Sequence, residues 1–124
     1  MIENALRSIL LNYPLLTSKI VARIYPLEFP DQTKPSIIYQ KVSDPDEGSH
    51  KELLIQYVVH SATYTQAEEI IGLVWKAFKA FDSGNEGAFK IHTIEQTGQI
   101  GQSSDRTVPL YERSEIFRVL YSEE

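Results

Sequence analysis

The sequence predicts an α+β domain, in which an antiparallel-rich sheet of about four to five strands has two main helices packed on one face. Three observations predict this class. An apolar stripe at helical spacing opens the chain, two β-rich runs flank a turn-forming loop, and a long amphipathic segment precedes two further strand-like runs. No linker or internal repeat divides the 124 residues, so residues 1–124 are predicted to form a single domain.

The chain opens with one face of a helix. The apolar positions of this face are Ile2, Ala5, Leu6, Ile9 and Leu10. Pro14 ends the helix, because proline disfavours helical backbone before it. Residues 15–20 are expected to form a short turn, with Thr17 or Ser18 as a local cap.

Three strands are expected next. The segment "ARIYPL" looks extended, and Pro26 makes it a short or edge strand because proline donates no backbone hydrogen bond. Residues 36–43 ("SIIYQKVS") and 51–61 ("KELLIQYVVHS") are predicted to form an antiparallel hairpin around the loop "DPDEGSH". The alternate residues Leu53, Ile55, Tyr57 and Val59 form an apolar face of the second strand. Its opposite face is mixed and includes Val58 and His60.

The next helix is predicted to begin with a capping box of Thr65 and Glu68. Its apolar stripe consists of Ala67, Ile70, Ile71, Val74, Phe78 and Phe81. Trp75 lies at the edge of the stripe, whereas Leu73 is expected to point nearly opposite and to stay uncovered within the domain. The glycines of "DSGNEG" suit left-handed caps that end the helix.

Two strands close the chain, residues 89–96 and 111–121, with the glycine-containing polar loop "TGQIGQSSDRT" between them. At about 3.3 Å per residue, the last strand would be about 36 Å long, which exceeds a typical strand. Phe117, Val119 and Tyr121 share one of its faces. Ile116, Arg118 and Leu120 share the other, so this strand is largely apolar on both sides.

Composition excludes several classes of site. With no cysteine, the chain has neither a disulfide framework nor a thiolate for zinc or nucleophilic catalysis. A net charge of −5 argues against wrapping a nucleic-acid duplex. We expect neither a secretory signal nor a membrane span, since no apolar run approaches about 20 residues.

Motifs for catalysis or metal binding are weak. His50, His60 and His92 have no metal-ligand spacing, although His60 and His92 would converge if their strands were neighbours. The acidic segment "DPDEGSHKE" lacks most of a calcium loop, and "GQIGQSS" lacks the lysine and the helix of a phosphate-binding loop. We therefore expect no catalytic residue, no metal and no cofactor; a hydrolase or isomerase using His60 or His92 is the enzymatic alternative.

Surplus apolar surface is the more informative feature. The last strand is apolar on both faces, Val58 lies on the mixed face of its strand, and Leu73 is predicted to face outward. Together these positions indicate a domain that packs against copies of itself or other proteins.

Four segments, in order, resemble the tail-completion proteins of long-tailed bacteriophages and prophages, also called tail terminators or tail-to-head joining proteins. They are "IENALRSILLNYPLLTSKIVARIYP", "PSIIYQKVS", "LLIQYVVHSATYTQAEEIIGLVWKAF" and "RSEIFRVLY", and they cover almost the whole chain. The resemblance implies a hexameric ring that caps the tail tube, stops its polymerisation and joins the tail to the head connector or stopper protein. It further implies assembly in the host cytoplasm, a place at the head–tail junction of the virion, and DNA passing through the ring without sequence-specific binding.

Two segments are predicted to make the contacts of such a ring. Pro26, Pro30 and Pro35 are expected to make residues 27–35 a semi-rigid, extended arm. Its apolar residues Leu27 and Phe29 would contact a neighbouring subunit or another virion protein. Alternatively, these prolines only protect a sheet edge from aggregation. The loop of residues 98–107 would order on docking or remain a solvent-exposed hairpin loop. Its predicted contact residues are Gly98, Gln99, Ile100, Gly101 and Gln102.

Leu73 and Arg118 complete the predicted interface, and Lys34, Lys41 and Arg106 are candidates to face passing DNA. A different class of protein remains open as the alternative. The order strand–strand–helix–strand–strand also resembles part of a ferredoxin-like regulatory or ligand-binding module, which would require a pocket with convergent polar groups.

Overall fold

The structure is a computed structural model that describes residues 2–26, 35–43, 46–47, 50–81, 83–105 and 110–123. Within these ranges, only the backbone is described for residues 43, 46–47, 50, 98–105, 110–111 and 123. The helices are α1 (Ile2–Leu11), α2 (Pro14–Ile20) and α3 (Tyr64–Phe81). The strands are β1 (Ile24–Pro26), β2 (Ser36–Ser43), β3 (Asp46–Glu47), β4 (His50–Ser61), β5 (Gly84–Glu86), β6 (Phe89–Asp105) and β7 (Leu110–Glu123).

The described strands form one sheet in the order β1–β2–β4–β7–β6–β5, with β3 paired to β4 off this path. The α+β class and the predicted hairpin of β2 with β4 are confirmed. The predicted count of four to five strands is too low, because β3 and β5 are short pieces with little sequence signal. The sheet is also mixed, since β1 runs parallel to β2 at one edge.

Both helices at the start of the chain pack into the core. Every predicted apolar residue of α1 is buried. The expected turn at residues 15–20 is instead the helix α2, in which Pro14 occupies the first turn. Proline is well tolerated there, because the amide that it lacks has no partner within a helix. Thr17 and Ser18 do not cap this helix; their hydroxyls donate to the carbonyls of Pro14 and Leu15 at 3.3 and 2.8 Å.

The cap of α3 lies two residues earlier than predicted. The hydroxyl of Thr63 accepts a hydrogen bond from the Gln66 amide at 3.2 Å, so Thr63 is the N-cap in place of Thr65. Gln66 takes the position of the capping-box glutamate and bonds the Ser61 hydroxyl. Thr63–Gln66 and Thr65–Glu68 have the same spacing, and the end of β4 at Ser61 determines which of them caps the helix.

The glycines after α3 have a different role from the one predicted. Gly87, with φ of +61°, occupies the first position of the two-residue loop that joins β5 to β6. A positive φ at this position matches the right-handed twist of a hairpin, which explains the glycine. The segment therefore turns the chain into a strand instead of only ending the helix.

The prediction of a polar loop after residue 96 is wrong for most of the predicted residues. The backbone of β6 continues to Asp105 and pairs with β7 as far as Leu110, with three irregularities in register between Ile91 and Gly101. Bulges accommodate the two glycines, which a regular strand disfavours. Of the predicted loop, residues 106–107 lie outside the described part of the chain.

The core lies between the helices and one face of the sheet. At its centre the Tyr57 ring contacts the rings of Phe78 and Phe117, with centroids 5.6 and 5.8 Å away. Trp75, at the edge of the helix stripe as predicted, stacks on Phe117 at 5.9 Å. Leu73 is only 9% exposed, so the prediction that it points into solvent is wrong. The helix α3 contacts α1 and α2 as well as the sheet, and side chains beyond a single stripe are therefore buried.

Candidate assembly surface

The sheet has two unlike faces. Alternate residues of β4, from Leu53 to Val59, are fully buried on the face that packs against the helices, called here the first face. The residues between them point to the opposite side, called here the second face. Within the described part of the chain, the helices contribute to the core of the first face.

An apolar stripe runs diagonally across the second face. Its members are the half-buried residues Ile38, Leu54, Val58, Ile116 and Leu120. Ile38 lies directly opposite Val58, and the remaining members are diagonal neighbours across the β4–β7 ladder. Such neighbours are close enough for their side chains to touch. The sequence prediction of apolar residues on both sides of the last strand, together with Val58, is therefore confirmed.

Arg118 crosses this stripe and connects three strands. Its Nη2 donates to Glu52 Oε2 at 3.1 Å, and its Nη1 lies 3.7 Å from Glu95 Oε2. The Arg118 side chain is 40% exposed, so these ion pairs contribute only about 0–1 kcal/mol to stability. Arg118 Nε is shielded from solvent and has no hydrogen-bond partner among the described groups. The predicted interface residue Arg118 is thus engaged within the chain while its side chain remains accessible.

A second polar cluster lies on the first face, where the apolar stripe of α3 begins. Arg113 is 9% exposed and its Nε donates to Glu68 Oε1, while Gln96 Nε2 donates to Glu115. The hydrogen bond from Arg113 lowers the pKa of Glu68. This cluster fastens the start of α3 to β7, and sequence analysis missed it because its partners lie 45 residues apart.

One edge of the sheet is long and has no neighbouring strand in the described part of the chain. The strand β5 covers β6 only from Phe89 to Ile91, so the outer side of β6 from residue 92 to 105 faces away from the sheet. Unpaired amides and carbonyls on such an edge can accept another strand. Gly98, Gln99, Ile100, Gly101 and Gln102 belong to this edge. Their predicted loop conformation is wrong, and their proposed contacts stay a prediction.

The other predicted contacts fall on different parts of the chain. Leu27 and Phe29, together with Lys34 and Arg106, lie outside the described residues. Lys41 is an exposed residue of β2. Leu73 is buried and is not available as a surface contact in this fold.

A shallow groove adjoins the β6 edge on the first face. Its volume is about 290 Å³, and its walls include Trp75, Phe78 and Ile94 beside the charged Lys79. Two other described hollows have volumes of about 200 and 210 Å³. Small-molecule sites typically have volumes of roughly 300–1,000 Å³, so the groove is at the lower end of this range. The other two hollows are smaller, which disfavours the ligand-binding alternative for them.

His60 and His92 do not lie on neighbouring strands, as a metal site formed by these two histidines would require. His60 is on β4 and His92 on β6, and β7 lies between these strands. His60 pairs with Glu112 near one end of β7, whereas His92 Nε2 lies 3.2 Å from Ser122 Oγ near the other end. Among the residues that the structure describes, no group of three metal-ligating side chains is close enough to hold an ion. No described helix is long and apolar enough to cross a bilayer.

Comparison with solved structures identifies a similar fold. A chain from the virion of a native gene transfer agent particle superposes with a TM-score of 0.65 at 12% sequence identity. The similarity covers 96% of this chain and 92% of the other. A second solved chain is 9% identical, covers 98% of this chain and 95% of its own length, and has a TM-score of 0.49, which is too low to support an argument. No protein-family model and no curated protein sequence matches the chain.

Proposed function

We propose that this protein is a virion assembly protein of a tailed phage or phage-like particle, and that it acts as a tail terminator. Its fold is similar over nearly the full length of both chains to a protein of a gene transfer agent virion, and this observation carries the virion role. The terminator role rests on the resemblance of the four sequence segments to tail-completion proteins. The half-buried apolar stripe of the second face supports the proposal, because an apolar patch on the surface of a small domain is typical of a protein that assembles.

The proposed mechanism is geometric. Copies of the chain join head to tail into a closed ring. The resemblance of the four sequence segments to tail-completion proteins implies that this ring is a hexamer. One surface of the ring binds the last layer of tail tube protein, and another binds the head-completion or stopper protein. Tube growth stops because the ring offers no further surface like the end of the tube, and closure of a head-to-tail interface limits its own size.

No catalytic step, metal or cofactor enters this function. The acidic net charge of −5 suits a ring through which DNA slides, since a strongly basic lumen would retain phosphates. In the virion the protein would lie at the head–tail junction, after assembly with its partners in the host cytoplasm. Its partners would then be further copies of itself, the tube protein and the stopper protein.

The decisive experiment measures the length of tail tubes. Purified tail tube protein from the genome that encodes this chain is allowed to polymerise with and without the chain, and tube ends are examined by electron microscopy. We expect the chain to form collars at tube ends and to halt growth in proportion to its concentration. Tubes of unchanged length, without bound chain at their ends, would contradict the proposal.

A paired variant tests the proline-rich arm within the same assay. Replacing Leu27 and Phe29 by serine removes the two apolar residues of the arm and should weaken ring formation while the domain stays folded. Replacing Leu15, an α2 residue that is 60% exposed, by serine is the control for loss of a surface apolar group. Equal assembly of all three proteins would rule out the arm as a contact.

A further inference from the structure

We infer that neighbouring copies of this chain join through opposite edges of their sheets, so that β6 of one copy pairs with β2 of the next. This inference rests on the proposed ring and goes beyond it by assigning the subunit contact. On the β2 side of the sheet, the described residues of β1 pair with Ile37, Ile38 and Tyr39. The outer side of Gln40 to Ser43 therefore has no neighbouring strand in the described part of the chain.

In the described part of the chain, the edge stretches that have no neighbouring strand lie at the same level of the sheet. Following the register across the strands, Lys41 is opposite Ile55, Ile55 is opposite Phe117, and Phe117 is opposite Gln96. The next row joins Ser43 to Glu95 in the same way, through Leu54 and Arg118. A second copy placed beside the first without axial shift thus brings Lys41 next to Gln96.

Strand directions also match. β2 is antiparallel to β4, β4 to β7, and β7 to β6, so β6 runs opposite to β2. When identical copies are related by rotation about an axis along the strands, β6 of one copy meets β2 of the next as an antiparallel pair. This pairing is slightly more stable per residue than a parallel one. Because the two edges are different, the contact is head to tail and can close into a ring.

Side chains on the first face fit the same contact. Lys41, like Ile37 and Tyr39, belongs to the first face, and the groove between α3 and β6 opens on that face at Ile94, two residues before Gln96. In the proposed pair, the aliphatic part of Lys41 from the neighbouring copy packs against Trp75 and Ile94. Its ammonium group lies over the indole face opposite Phe117, because the electron-rich face of an aromatic ring attracts a cation. A groove of about 290 Å³ suits an inserted side chain.

The contact can be tested by cross-linking, because the chain has no native cysteine. Proteins with Lys41→Cys and Gln96→Cys in the same chain are assembled with tube protein, oxidised and separated by denaturing electrophoresis. Within one copy, Lys41 and Gln96 are three strand spacings apart, about 14 Å, which is too far for a disulfide. Any disulfide between them therefore joins two copies, and we expect a ladder of covalent multimers.

A matched control uses the neighbouring residue on the opposite face. Lys41→Cys is combined with Glu95→Cys, since Glu95 lies on the same edge but contacts Arg118 on the second face. We expect the Gln96 pair to give at least about tenfold more cross-linked product than the Glu95 pair, because disulfide geometry is specific. Lys41→Cys with Ile94→Cys detects the same pairing shifted by two residues.

Microscopy of the same samples separates failure of the contact from failure of the proposed function. Rings at tube ends without a disulfide at residue 94 or 96 would overturn the edge contact and leave the terminator function standing. A covalent ladder without rings or tube capping would support the contact and contradict the function. Samples with neither rings nor cross-links would overturn both.

Discussion

At the scale of single residues, Val21 is in a conformation that costs free energy. It ends α2 with φ of +57°, in the left-handed region that β-branched residues rarely adopt. Its side chain is 64% exposed, so little packing compensates for the strain. The backbone remains in place because the Val21 amide donates to the Thr17 carbonyl at 2.8 Å and the Arg23 amide donates to the Ile20 carbonyl at 3.0 Å.

We predict that Val21→Gly raises the free energy of unfolding by about 1 kcal/mol. Relief of a strained backbone angle is worth roughly 1–3 kcal/mol, which exceeds the roughly 0.5–1 kcal/mol that glycine costs through the entropy of the unfolded chain. Urea unfolding followed by circular dichroism measures the change. Val42→Gly is the control, since Val42 is also exposed but has no positive φ; stabilisation of both variants or of neither would contradict the explanation.

Glu68 provides a prediction about pH. The hydrogen bond from Arg113 lowers the pKa of Glu68 below its ordinary value of 4.5, so the folded state favours the ionised carboxylate. The resulting stability is present above pH 4.5 and is lost as pH falls through the lowered pKa of the folded state. Because the Glu68 side chain is 36% exposed, the contribution is limited to about 1 kcal/mol.

We therefore expect Glu68→Gln to be less stable than the parent protein at pH 7 and to match it more closely near pH 3. The measurement is urea unfolding of both proteins across this pH range. A stability difference that stays constant with pH would show that the loss comes from packing and not from the ionised pair.

At the scale of elements, the junction between β4 and α3 decides where the helix begins. The Thr63 hydroxyl accepts from the Gln66 amide, and the Ser61 hydroxyl in turn accepts from the Thr63 amide at 3.4 Å. These bonds satisfy amides that have no partner inside the helix. The same junction positions Glu68 for its bond with Arg113 on β7.

We predict that Thr63→Ala lowers the free energy of unfolding by about 1 kcal/mol, the usual cost of losing an N-cap. Thr65→Ala is the matched control, because it removes the same atoms from an exposed position inside the helix and should change stability far less. Thermal unfolding of the two variants checks the difference. A larger loss for Thr65→Ala would contradict the cap at Thr63.

At the scale of the whole molecule, one face of the sheet forms the core and the other is the proposed assembly surface. Its first face buries the aromatic centre under the helices, while its second face carries the apolar stripe crossed by Arg118. Apolar side chains left half-buried in this way favour contact with another protein over contact with water. Under the proposed function, this face would be covered by the tube or stopper protein.

We predict that Ile116→Lys weakens binding to the tube end at least about tenfold while the domain stays folded, because a lysine at this position would lose its hydration on docking. Binding is measured by co-sedimentation with tubes, and folding by circular dichroism. Gln40→Lys, on the same face and outside the stripe, is the control for added charge. Equal binding of both variants and the parent would exclude the stripe as a contact surface.

The sequence by itself determined the elements whose pattern is local. The stripe of α1, the hairpin of β2 with β4 and the long helix α3 follow from periodicities of apolar residues, which depend only on neighbours along the chain. The two-sided apolar character of β7, and with it the second face, was also readable, since alternation assigns each residue to a face.

Only the tertiary structure decided the features that depend on distant partners. Polar and glycine-rich residues 97–105 form a strand because β7 offers them a full-length partner, although their own propensity favours a loop. The unusual length of the last strand was the signal that could have revealed this partner. Burial of Leu73, the Glu68–Arg113 pair and the alignment of Lys41 with Gln96 all arise from packing between elements far apart in sequence, which local patterns do not encode.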